Sequence, residues 1–163
     1  MVFVFTTEGN LMQHTIAILP AMLALLAGAA IAVQASLNAK LGVLIHHPLI
    51  ATSVAFSCAA LCAVAMVLIT TRYYPPLHLI KSVPIYMWFS GGLLSAFGVG
   101  MFYFLIPKMG VGSLMSYALT GQIVIAIVAS HFGWFGLPQA TITATKACGM
   151  FALVGGIVLI NWV

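Results

Sequence analysis

The sequence predicts an all-α integral membrane protein with five transmembrane helices. Hydrophobic residues make up 64% of the chain and charged residues only 4%. A soluble surface is about 25–35% charged, so this chain could not cover itself with polar groups in water. Its apolar residues also gather into runs close to the ~20 residues that cross ~30 Å of hydrocarbon as a helix. An open sheet would leave edge amides unpaired in lipid, and the alternation of a membrane barrel is absent.

Taken in order, the spans are Ile16–Leu37, Leu49–Thr70, Pro84–Ile106, Val111–Ser130 and Ile142–Trp162. "HHPL" (His46–Leu49) separates the first two. "RYYPPLHLIKSVP" (Arg72–Pro84) separates the next two, with Pro75 and Pro76 stopping a helix. "PKMGVG" (Pro107–Gly112) is a very tight turn, and "HFGWFGLPQ" (His131–Gln139) makes the last connection. Tyr73, Tyr74, Trp134 and Trp162 suit the interfacial aromatic belt. Connections this short leave no room for a soluble domain. The expectation is a tail over 1–14 and one membrane domain over 15–163. The first run lacks a basic leader and a cleavage site, so it reads as a retained helix rather than a secretory signal.

Five crossings put the termini on opposite sides. Lys40 and Lys108 then mark one side, and Arg72, Lys81 and Lys146 the other. The positive-inside rule favours a cytoplasmic N-terminus by three cations to two. So thin a bias is compatible with dual insertion and an antiparallel pair, a form of the inverted repeat common in transporters.

"VQASLNAKLG" (Val33–Gly42) puts Gln34 and Asn38 four residues apart, on one helix face above Ala27 and Ala30. Gln122 shares a face with Met115, Ala118 and Ala129 near the middle of its span. Amide donors and acceptors left unpaired in hydrocarbon are costly. Both faces are therefore expected to turn away from lipid. Two roles fit: bonds between helices, or a polar pathway for a substrate. Glycines at four-residue spacing from other small residues (Gly28, Gly92, Gly112 and Gly156) point to helix packing.

Other chemistry is thinly represented. No Asp or Glu lies in a span, since the one acid is Glu8. Cation coupling through a buried carboxylate has no residue to carry it. Lys146 falls inside a span and either snorkels to the interface or attracts an anionic or zwitterionic substrate. His131 is a titratable or interfacial group at a span end. The three cysteines (Cys58, Cys62 and Cys148) sit in apolar runs and read as small buried hydrophobes. No nucleotide, metal or nucleophile motif is present, so neither an enzyme, a cofactor nor a metal is expected. Five scattered cations do not make a nucleic-acid surface.

The chain resembles the YdcZ-like family of small bacterial inner-membrane proteins, within the drug/metabolite transporter superfamily. The resemblance rests on "VQASLNAKLG", "HPLIATSVAFS", "GGLLSAFGV", "PKMGVG", "GQIVIAIVASHFGWFG" and "KACGMFALVGGIVL", in that order. It implies one half of a ten-helix carrier built from two five-helix repeats, completed by a homodimer or a related five-helix partner. It also implies export of an unassigned small molecule. Gln34, Asn38, Gln122, His131 and Lys146 match family motif positions. Ser130 stands where an aspartate is expected in many relatives, which weakens a proton-coupling role there. The leading reading is an alternating-access exporter of a small metabolite or drug-like compound. The alternative is a non-transporting membrane assembly or partner-binding protein.

Overall fold

The computed structural model describes residues 5–136 and 138–162, with side chains from residue 18 onward. It contains six α-helices: α1 (Phe5–Leu44), α2 (Pro48–Thr70), α3 (Leu77–Ser82), α4 (Ile85–Met109), α5 (Val111–Phe132) and α6 (Ala144–Ile160). The backbone from residue 5 to 14, expected as a tail, is continuous with α1. Over Ile18–Leu44, and in α2, α4 and α5, the helices are long and apolar enough to cross a membrane. With 17 residues, α6 falls short of the length of the other four. The short α3 lies between Pro76 and Pro84 in a stretch expected as loop.

The helix ends follow from local chemistry. At the end of α1, His46 adopts a left-handed φ of 55°. Its N–H donates to Val43 O, and that of His47 to Gly42 O at 3.0 Å, which satisfies two terminal carbonyls. Pro48 then opens α2, where a missing N–H costs nothing. Gly110 alone separates α4 from α5, at φ 83° and ψ 159°, a region that essentially only glycine occupies. At the end of α5, Gly133 is left-handed, and a Cβ there would stand 2.6 Å from Gln139 Cγ.

Helices α1, α2 and α4 pack against one another as a three-helix unit. α5 leans on α4 and touches α1 more lightly, while α6, among the described residues, packs on α5. Small residues let the three-helix unit close. Ala35, Ala39 and Ala51 are buried, together with Tyr103, Ile106 and Leu114. At Gly42 a Cβ would lie 3.3 Å from Pro48 Cα, and at Gly100 3.6 Å from Thr52 Oγ1.

The glycines expected to pack helices make no close approach to the described residues, although Gly156 faces α5 beside Met115 and Ser116. A Cβ at Gly28, Gly92, Gly112 or Gly156 would meet nothing within 4 Å. Spacing picks out a stripe of small residues but not the stripe that faces a neighbour. The three cysteines likewise stand exposed on the bundle surface rather than buried. So few side chains are enclosed that each helix turns most of its circumference outward, as in Leu61, Leu68, Leu93 and Phe97. Hydrocarbon is the solvent that such a surface requires.

α5 is bonded to the residues that flank α6 on both sides. Ala140 N–H donates to Ser130 O at one end. At the other, Asn161 Nδ2 donates to Ser116 Oγ at 3.1 Å and to Ile157 O at 2.8 Å. The pair is therefore antiparallel over most of α5.

Candidate functional site

The amides of α1 meet a phenol. Gln34 Nε2 and Asn38 Nδ2 each donate to Tyr103 Oη at 2.9 Å. Helical periodicity sets Gln34 and Asn38 one turn apart on the same face, and α4 presents Tyr103 between them. Tyr103 is 1% exposed and is the largest fully buried side chain among the described residues. A phenolic oxygen has two lone pairs, and the two amides fill both. If one amide turns its oxygen inward instead, it accepts the phenol proton while the other amide continues to donate. Such a cluster ties α1 to α4 where the alternative partner is hydrocarbon.

Gln122 sits elsewhere. It lines a groove of about 760 Å³ between α1 and α5, with Met115 and Ala118 on its own helix and Phe102 contributed by α4. Ala24, Gly28 and Ala32 of α1 form the facing wall, and the lining contains no charged residue. No hydrogen bond to a described residue occupies the Gln122 amide, so its two donors and its oxygen are available to a visitor. The groove exists because the α1 stripe is small and α5 only brushes α1. At Gly28 even an added Cβ would hang in open space. The three amides thus divide between two places: Gln34 and Asn38 on Tyr103, Gln122 in the groove.

His131 is exposed in the last turn of α5, its ring edge-on to Phe132 at 5.1 Å. Lys146 lies in the first turn of α6. Its backbone N–H is capped by Thr143 Oγ1 at 3.3 Å, and its Nζ donates to Thr141 O at 3.0 Å. At the opposite end of the bundle, the Lys108 ammonium lies 3.5 Å from the centre of the Phe104 ring, one turn back on α4. Among the described residues no group of three or more His, Cys, Asp or Glu side chains could hold a metal ion.

Sequence reasoning missed Tyr103 and Phe102. Both lie in the aromatic run "FYF" of an apolar span, where nothing marks one ring as a hydrogen-bond acceptor and the next as a groove wall. The signal that could have found Tyr103 is the buried hydroxyl itself, since a tyrosine deep in a span needs a partner.

The chain matches the family described as "Putative inner membrane exporter, YdcZ" over residues 19–159. No curated protein matches it, and no solved structure does. The match runs from the start of the described part of the first span to the last turn of α6. The chain therefore belongs to the YdcZ-like inner-membrane exporter family of the drug/metabolite transporter superfamily, a multipass membrane protein of a transporter family rather than an enzyme.

Proposed function

We propose that this protein carries a small metabolite or drug-like compound across the inner membrane, with the α1–α5 groove as its substrate site and Gln122 as the polar contact. The observation that carries this reading is the groove itself. It has the size of a small-molecule pocket, ~300–1,000 Å³, with apolar walls and one amide able to orient a ligand. The Gln34–Asn38–Tyr103 cluster holds the α1 wall to α4 and so positions the site from outside it.

In this reading α6 is a fifth crossing. Its 17 residues span about 25 Å, and bonds from the residues flanking it, Asn161 to Ser116 and Ala140 to Ser130, lay it along most of α5. Five crossings give half of a ten-helix carrier, and a second copy or a related five-helix chain completes it. The thin enclosed core and the exposed face of Gly92 leave surface for that partner. Transport then proceeds by alternating access, with the groove opening to each side in turn.

The test is flux in sealed vesicles. A panel of labelled, uncharged drug-like compounds is first screened for thermal stabilisation of the reconstituted protein, and hits are then followed for uptake. Gln122→Ala and Gly28→Leu should both abolish most of the uptake seen with the unaltered protein. Equal uptake by all three would remove the groove as the substrate site.

A further inference from the structure

A second cavity, about 530 Å³, lies between α5 and α6 and is graded along its length. Ser130 and Lys146 border one end, and Ile123, Ile127, Met150 and Leu153 line the rest. Ser130 is in the last turn of α5 and Lys146 in the first turn of α6, so the polar end sits at the membrane boundary. The apolar lining continues down both helices: Ser130 to Ile123 on α5, and Lys146 to Leu153 on α6. Seven residues of helix measure about 10 Å, so the slot runs from the head-group level well into the hydrocarbon.

The Lys146 ammonium has three N–H donors, and the bond to Thr141 O uses one of them. Two remain for a ligand, with the Ser130 hydroxyl across the slot. The chain as a whole has five cationic side chains and one carboxylate, Glu8. Charge complementarity at this end therefore calls for an anion.

We propose that the α5–α6 slot binds an anionic amphiphile, with its acidic head on Lys146 and Ser130 and one alkyl chain between Ile127, Met150 and Leu153. The order of the groups is the argument. A soluble anion gains nothing from the apolar walls, and a neutral lipid gains nothing from the cation. Only a molecule with its charge at the interface and its chain toward the membrane centre satisfies both ends. Two sources share this chemistry, an anionic membrane lipid and a free fatty carboxylate. The site is separate from the Gln122 groove and does not depend on the transport reading.

Native mass spectrometry of the full chain in a nonionic detergent tests this. The probes are phosphatidylglycerol, phosphatidylcholine with the same chains, oleate and inorganic phosphate. Retention of phosphatidylglycerol or oleate, with phosphatidylcholine weaker and phosphate alone not held, is the expected result, and the better of the two identifies the source. A lysine near a membrane surface contributes ~1 kcal/mol toward an anionic head group, so Lys146→Gln should weaken retention about five- to tenfold. Lys146→Arg should preserve it. Leu153→Trp, which narrows the apolar end and leaves the charge in place, should also weaken it. Each variant is compared at unchanged melting temperature. Equal retention of phosphatidylcholine, retention of phosphate without a chain, or no effect of Lys146→Gln in a folded sample would overturn the proposal.

Discussion

Gln34 and Tyr103 stand 69 residues apart in sequence and 2.9 Å apart in space, amide nitrogen to phenolic oxygen. This bond, doubled by Asn38, pins two closely packed helices into one wall. Tyr103→Phe removes the shared acceptor and leaves both amides with unmet donors. Interhelical bonds in membranes average ~0.6 kcal/mol and reach about 1.7, so the loss should be ~1–2 kcal/mol. Unfolding in mixed micelles measures it. A double-mutant cycle with Gln34→Leu should return a coupling energy clearly above zero, and additive losses would mean that the contact is not energetically shared.

Gln34 and Gln122 should separate under substitution. Gln34→Ala breaks a helix-to-helix bond and should lower the melting temperature. Gln122→Ala faces the groove and should leave stability within about 0.5 kcal/mol, as surface changes do, while removing most uptake. Melting curves and flux on the same two samples check this. A stability loss in Gln122→Ala as large as that in Gln34→Ala would make Gln122 a packing residue.

Gly110 and Gly112 lie two residues apart and should respond oppositely to alanine. Gly110 has φ 83° and ψ 159°, where a Cβ costs ~1–3 kcal/mol. Gly112 is the second residue of α5 with open space around it, where alanine gains part of the ~1 kcal/mol of helix propensity that an interior position would give. Thermal unfolding of the two variants should move in opposite directions from the unaltered protein.

Gly100 and Gly92, eight residues apart on α4, distinguish contacts within the chain from contacts between chains. Gly100→Leu would press on Thr52 and Leu49 and should cost about 1–3 kcal/mol by overpacking. A Cβ at Gly92 meets no described residue within 4 Å, so Gly92→Leu should leave the monomer intact. If Gly92→Leu lowers the dimer fraction in cross-linking or light scattering, this face of α4 is where a second copy sits. An unchanged dimer fraction would locate the interface elsewhere.

The long apolar helices were legible because hydropathy and length alone constrain them. The turns were legible because Pro48, Gly110 and Gly133 carry backbone rules in their identity. The amide faces at Gln34 and Gln122 stood out for the same reason, since polar groups in a greasy run demand an explanation. What they meet was not legible. Tyr103 counts as one more apolar residue in any periodicity, and a single sequence holds no record of which helices touch. The same gap explains the glycines: Gly28 and Gly92 satisfy the spacing rule, yet Gly42 and Gly100 make the close approaches. The outward-facing cysteines follow from lipid as solvent, where an apolar residue has no reason to prefer the inside. The short α3 was hidden by its flanking prolines, which signal a break but not the turns of helix between them.

In the proposed transport cycle, the single residue between α4 and α5 would act as a pivot. With no slack at Gly110, the near end of α5 cannot slide along α4 and can only turn about it. Asn161 at the end of α6 bonds to Ser116, and Ala140 in the connection ahead of α6 bonds to Ser130, so in that cycle the two helices would move as one lever arm. α5 is about 33 Å long, and a swing of about 10° would carry its far end ~6 Å and the level of Gln122 ~3 Å. The contact released in such a swing is the light one with α1, which is the seam along which the groove lies. A bundle hinged this way opens like a book held at one corner, widest where His131 and Lys146 meet the membrane surface.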